Sequence, residues 1–169
     1  FVTKEEYGTY DLITVLVSLL LPAASLQIQT AAFRFLIDER DNEESIRDIV
    51  TNIFAFIIPT SVFALAITYW FLPGDPGIRL LVCLYLLADM LVNAARQVTR
   101  GLEKNLVFSI NSIINSFGIM VFAVLFVWLL RWGLFGALLS LVLSTVISLL
   151  DIFIRGKLIQ FLSLKSINW

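Results

Sequence analysis

The stretch IRLLVCLYLLADMLVNAARQ, residues 78–97, is almost wholly apolar yet carries one carboxylate, Asp89, near its middle. A helix rises 1.5 Å per residue, so a run of this length crosses the ~30 Å hydrocarbon layer of a bilayer. Four more runs match or exceed it, at residues 11–37, 46–72, 106–130 and 134–154. The chain is 59% apolar over 169 residues with mean hydropathy +0.92, well above an ordinary soluble domain. The expected fold is all-α: an integral membrane helical bundle of five transmembrane helices over residues 1–155, followed by a cytoplasmic linker at 156–169.

Charge sets the orientation. Alternating the connections gathers Arg34, Arg40, Arg47, Arg96, Arg100, Lys104, Arg155, Lys157 and Lys165 on one side and leaves Lys4, Arg79 and Arg131 on the other. The basic side is cytoplasmic under the positive-inside rule, which puts the N-terminus outside and the C-terminus inside. Tyr7, Tyr10, Tyr69, Trp70, Trp128 and Trp132 then fall at the outer boundary, where amphipathic rings favour the headgroup level. The sequence opens on Phe1 without a basic leader, so a preceding helix is expected and the chain reads as part of a larger protein.

Several classes fall away. Net charge is -1 and the bases are dispersed at helix ends, which argues against a nucleic-acid partner. There is no histidine, hence no imidazole base, His-ligated metal or histidine proton relay. Cys83 is alone in an apolar run and reads as a packing residue. Paired acids at catalytic spacing and a Gly-x-Ser-x-Gly turn are missing as well, so no enzyme and no cofactor are expected.

The connections carry helix-ending chemistry. Asp41 with Glu44 suggests a capping box for the second span. Arg100-Gly101 reads as a last-turn cation followed by a C′ glycine, and Asn105 as the next cap. Pro73-Gly74-Asp75-Pro76-Gly77 and Arg131-Trp132-Gly133 form short outer turns, so sequential antiparallel neighbours in an up-down bundle are expected. Pro22 and Pro59 lie within spans and permit kinks. Gly133, Gly136, Ala137, Ser140 and Ser144 give the last span a small-residue face for close packing.

Polar residues within the spans are the candidate site. Asp89, Asn93, Arg96 and Arg100 occupy i, i+4, i+7 and i+11, a single helical stripe. A carboxylate at the depth of Asp89 costs about 2.5–3.5 kcal/mol on insertion scales, so it should face protein or water. Arg96 lies ~10 Å along the axis from it, too far for direct pairing. Gln27, Thr30 and Arg34 form a stripe on the first span. Asn111 and Asn115, flanked by Ser112 and Ser116, do so on the fourth, and Ser140, Ser144, Ser148 and Asp151 on the fifth. Turned inward, these faces surround a polar cavity lined by Gln27, Arg34, Asp89, Asn93, Arg96, Asn111 and Asn115. The plainer reading is interhelical hydrogen bonding, worth roughly 0.6 kcal/mol per contact. Arg34 and Arg96 either snorkel to the cytoplasmic interface or form a cationic mouth holding a phosphate or pyrophosphate.

Short motifs in order add a resemblance. Glu5-Glu6-Tyr7-Gly8-Thr9-Tyr10-Asp11-Leu12, then Ala31-Ala32-Phe33-Arg34-Phe35 with the acidic loop 38–44, then Arg100-Gly101-Leu102-Glu103-Lys104-Asn105, and finally Ser166-Ile167-Asn168-Trp169 resemble successive segments of the polysaccharide flippases of the multidrug/oligosaccharidyl-lipid/polysaccharide exporter superfamily. The resemblance implies helices two to six of a protein with twelve to fourteen, making part of one six-helix lobe of a two-lobed transporter whose second lobe lies outside this sequence. It further implies alternating access in the bacterial cytoplasmic membrane, with a lipid-linked oligosaccharide as substrate, membrane lipid around it, and polysaccharide-assembly machinery as a partner. Other readings keep the fold but carry a drug or a peptidoglycan precursor, or make the chain a non-transporting membrane assembly subunit whose polar stripes only join helices.

Overall fold

The computed structural model describes residues 3–39, 42–72 and 74–162. Arg40, Asp41, Pro73, Lys165 and the closing Ser166-Ile167-Asn168-Trp169 lie outside the described residues. The order is α1 (Lys4–Ser25), α2 (Ile28–Asp38), α3 (Glu43–Phe71), α4 (Pro76–Gly101), α5 (Asn105–Ala123), a π-helical extension Val124–Leu129, α6 (Gly133–Gly156) and a 3₁₀ turn Leu158–Phe161. Five of these helical segments are long and apolar enough to cross a membrane. The chain is an all-α integral membrane bundle.

Local chemistry explains most boundaries. Thr3 and Glu6 form a reciprocal capping box at the start of α1, with Thr3 N–H donating to Glu6 Oε2 at 2.8 Å and Glu6 N–H to Thr3 Oγ1 at 3.2 Å. Asn42 caps α3: its Oδ1 accepts from the backbone N–H of Glu44 and Ser45 at 3.1 and 3.3 Å. Asp75 caps α4 ahead of Pro76, which suits the first helical position because it has no N–H to leave unpaired. Helix α5 begins at Asn105 after Lys104 and has no side-chain cap, so the expected Asn105 cap does not form.

Gly101 also has a different role from the one its position suggested. It is the last residue of α4, and the left-handed residue of that turn is Glu103, at φ 58°. A Cβ at Gly101 would lie 2.8 Å from Leu36 Cβ. Glycine is therefore needed here for the close approach of α2 to α4.

The first span is not one helix. Leu26 and Gln27 both adopt left-handed backbone, φ 49° and 57°, at a cost of roughly 1–2 kcal/mol for each non-glycine residue. Side chains stabilise the break: Ser25 Oγ accepts from Gln29 Nε2 at 3.0 Å, and Thr30 Oγ1 donates to Gln27 Oε1 at 3.1 Å. Pro22 and Pro59 both sit inside helices without ending them.

Packing departs from a simple up-down order. Helix α4 touches α1, α2, α3, α5 and α6, and it packs more extensively on α6 than on its chain neighbour α5. Small residues make this possible, since Ser140, Ser144 and Ser148 are buried and let two helices approach α6 together. Leu36, Ile57, Leu86, Val92, Ala94, Ala95, Leu138 and Ile152 form the core around α4. The outward faces carry Phe63, Trp70, Phe117 and Ile154, all exposed, as lipid-facing surfaces should be.

Candidate functional site

Two hydrogen-bonded contacts, one from α4 and one from the turn that follows it, fix the register of this segment on α6. Arg96 Nη2 donates to Ser148 Oγ at 3.2 Å, and Lys104 Nζ donates to the Gly156 carbonyl at 2.6 Å. Both pairs are 52 residues apart, so the two helices run parallel. Helix α5 returns antiparallel. Asn111 Nδ2 donates to the Ser148 carbonyl at 2.6 Å, and one turn further along α5 Ser144 Oγ donates to the carbonyl of Asn115 and to its Oδ1 at 3.2 Å.

Arg96 stands where the three helices meet. Its Nε donates to Asn111 Oδ1 at 3.0 Å, and that oxygen also accepts from Ser148 Oγ at 2.9 Å. Asn111 Nδ2 reaches Asp151 Oδ2 at 3.2 Å, and Asp151 Oδ1 pairs with Arg155 Nε at 2.6 Å. A relay of charged and amide groups thus runs from α4 through α5 to the last turn of α6. These bonds to Asn111 and Ser148 use two of the five guanidinium N–H donors of Arg96. Its remaining donors leave it able to hold a further acceptor.

One turn and two turns before Arg96 lie Asn93 and Asp89, both half-buried. Asn93 Nδ2 donates back to the Asp89 carbonyl at 2.8 Å. Asp89 and Arg96 interact electrostatically along the stripe without a direct hydrogen bond between them. Tyr85, one turn earlier still, lies within electrostatic reach of Asp89, Arg96 and Tyr10 of α1. Beyond it a groove of about 440 Å³ opens between α1 and α5 over α6, lined by Tyr7, Tyr10, Ile119, Trp128, Ala137 and Ser140 among others. The groove is lined almost wholly by apolar side chains and includes no residue of the α4 stripe; Tyr10, within electrostatic reach of Tyr85, is the link between the two.

The predicted residues therefore separate into three groups. Asp89, Asn93 and Arg96 share the α4 stripe. Asn111 is fully buried and Asn115 half-buried, and both are engaged with α6. Asn111 is thus a structural member rather than a cavity wall, because its amide is committed on both ends. Ser144 and Ser148 likewise join α6 to α5, whereas Ser140 donates within its own helix to the Ala137 carbonyl and lines the α1–α5 groove. Arg34 and Gln27 form the third group. Gln27 is exposed at the break before α2, and Arg34 is exposed on α2 away from its buried face of Gln29, Ala32 and Leu36. The structure does not bring Arg34 to Arg96, and a two-arginine clamp is not assembled within these helices.

Sequence reasoning passed over Tyr85, Ser148 and Asp151 as site residues. Tyr85 precedes Asp89 by four positions, so extending the stripe one turn finds it. Ser148 and Asp151 were visible as a stripe, but their link to Arg96 depends on the 52-residue register.

Residues 1–163 match the family described as polysaccharide biosynthesis protein. The chain belongs to that family. No curated protein and no solved structure matches it. As a member of the polysaccharide biosynthesis family with five membrane-length helices, the chain is a multi-pass membrane protein of polysaccharide biosynthesis or export.

Proposed function

We propose that this polysaccharide biosynthesis protein is a flippase component that moves lipid-linked oligosaccharide repeat units across the bacterial cytoplasmic membrane by alternating access. The observation that carries the proposal is the stripe Tyr85, Asp89, Asn93 and Arg96 on the central helix, half-buried within a helix of membrane-spanning length. Charged groups within a membrane span belong in a bundle interior or a wet cavity, and hydroxyl-rich sugar has the donors and acceptors to meet such a floor. Arg96 offers N–H donors suited to a phosphate or pyrophosphate, and exposed Arg34 offers a second cation on a different face. The basic end lies in the cytoplasm, with the N-terminus outside, and the helices form part of one lobe of a two-lobed carrier. The role is transport, not catalysis. Its partners are the lipid-linked substrate, bilayer lipid and the polysaccharide-assembly machinery.

The saturated α5–α6 interface favours a second reading, a non-transporting assembly subunit. Complementation separates them. In cells lacking the endogenous protein, Arg96→Lys and Asp89→Asn, compared with wild type at matched protein level, should lower surface polysaccharide and raise lipid-linked repeat units on the cytoplasmic side. Unchanged polysaccharide in both variants would exclude a transport role for the stripe.

A further inference from the structure

The seam between α2 and α3 has a polar mouth and an apolar interior. At the basic end of the bundle a groove of about 280 Å³ opens between the two helices, lined by Ile28, Ala31, Phe35, Asp48, Asn52 and Ile53 among others. Four residues separate these helices in the chain, so they run antiparallel. Phe35 and Asp48 therefore stand at the mouth, with Ile28 and Ile53 at the inner end. Asp48 precedes Tyr69 by 21 residues, roughly 32 Å of helix, and Tyr69 falls at the opposite boundary. The Asp48 carboxylate is thus one hydrocarbon thickness away, at the level of lipid headgroups.

Asp48 is half-buried, and among the described residues no ion pair involves it. The ends of the two helices do not make good the missing cation, because exposed Asp38, Glu39, Glu43 and Glu44 outnumber exposed Arg34 and Arg47. A partly desolvated carboxylate gains most from a positive hydrogen-bond donor. Across the mouth Phe35, 59% exposed, offers a ring face of the kind that attracts an ammonium. Deeper in the seam the chemistry is hydrocarbon. Ile49, Ile53, Thr60, Ala64 and Ile67 follow one stripe of α3. A second groove, of about 520 Å³, lies farther along that stripe, against Leu20, Ala23, Ala24 and Leu26 of the first span. Its one hydroxyl, on Thr60, is committed to the Phe56 and Ile57 carbonyls of its own helix at 3.0 Å each.

We propose that the α2–α3 seam binds an aminophospholipid of the phosphatidylethanolamine type, its ammonium on Asp48 and Phe35 and an acyl chain along the apolar stripe of α3. Charge complementarity selects the headgroup. An anionic lipid brings no cation to the unpaired carboxylate, and a trimethylated headgroup has no N–H to donate to it. The site shares no residue with the α4 stripe.

The test uses the full-length protein purified in detergent and offered equal amounts of dioleoyl phosphatidylethanolamine, phosphatidylcholine and phosphatidylglycerol. Native mass spectrometry should show the ethanolamine lipid retained in preference to the other two. Asp48→Asn should weaken its retention by about tenfold. Ala31→Phe, which fills the groove and leaves the carboxylate in place, should weaken it too, and Glu44→Gln should leave it unchanged. As a readout independent of the variants, the wild-type melting temperature should rise more with phosphatidylethanolamine than with phosphatidylglycerol. Equal retention of the three lipids by the wild type would show an apolar groove without headgroup recognition, and would overturn the proposal. Undiminished phosphatidylethanolamine on Asp48→Asn would also overturn it. The assay reads lipid binding alone, so its outcome does not depend on whether the protein carries lipid-linked sugar.

Discussion

Arg96 on α4 donates to Ser148 on α6 across 3.2 Å, and Ser148 in turn donates to the same Asn111 oxygen that Arg96 Nε contacts. This three-way contact turns a line of polar residues into one structural unit. It also places the guanidinium where α4, α5 and α6 converge.

Asn111→Leu should therefore destabilise the protein sharply. The change leaves Arg96 Nε, the Ser148 hydroxyl and the Ser148 carbonyl without their partner, and each buried group abandoned in this way costs about 1–3 kcal/mol. A fall in detergent melting temperature is expected for Asn111→Leu. Ser116→Ala, at an exposed position on the same helix, should leave it nearly unchanged. Equal melting of the two variants would show that the relay contributes little.

Gly101→Ala should loosen α2 from α4. Its new Cβ would stand 2.8 Å from Leu36 Cβ, and overpacking of this kind costs about 1–3 kcal/mol. Adding Leu36→Ala should recover part of the loss by making room. A double variant that melts lower than the sum of the two singles would rule out the close-approach explanation.

Arg34→Glu should separate function from stability. Arg34 is exposed and lies on the face of α2 turned away from its buried residues, so melting should change little. If that face meets substrate, surface polysaccharide should fall at matched protein level. Full polysaccharide in Arg34→Glu would remove this residue from the transport path.

Lys104 provides a pH signature outside the spans. Burial, with Lys157 adding like-charge repulsion, holds its ammonium below the ordinary lysine range. A lowered lysine pKa means that the stability it contributes is complete above the unfolded-chain value, and is lost as pH falls through the folded value. Lys157→Gln removes the second cause and should move the Lys104 titration upward, as read by ¹³C NMR of reductively methylated protein. A downward movement would contradict this assignment.

Much of this architecture was legible in the sequence because the bilayer imposes a simple rule. Four of the five apolar runs became single membrane-length helical segments, while the first, 11–37, divides between α1, which starts earlier at Lys4, and the short α2. The break at Leu26 and Gln27 was hidden, since neither is glycine or proline and only side-chain bonding from Ser25, Gln27 and Thr30 makes it tolerable. The cap of α3 at Asn42 was not singled out, because several residue types can cap and the choice rests on backbone geometry. The stripe Asp89, Asn93 and Arg96 was readable from helical spacing alone. Its sorting from Asn111 and Asn115 was not, because that depends on whether α6 serines or open space lie opposite each amide.

The most direct measurement is thiol accessibility in a Cys83→Ala background. Cysteines placed by Asn93→Cys and by Ser144→Cys are treated, in membranes, with a charged thiol reagent that does not enter lipid. Water access to the α4 stripe predicts rapid modification of Asn93→Cys and protection of Ser144→Cys, whose site is sealed between α5 and α6. An unreactive Asn93→Cys, or equal reaction at both positions, would contradict a wet α4 stripe.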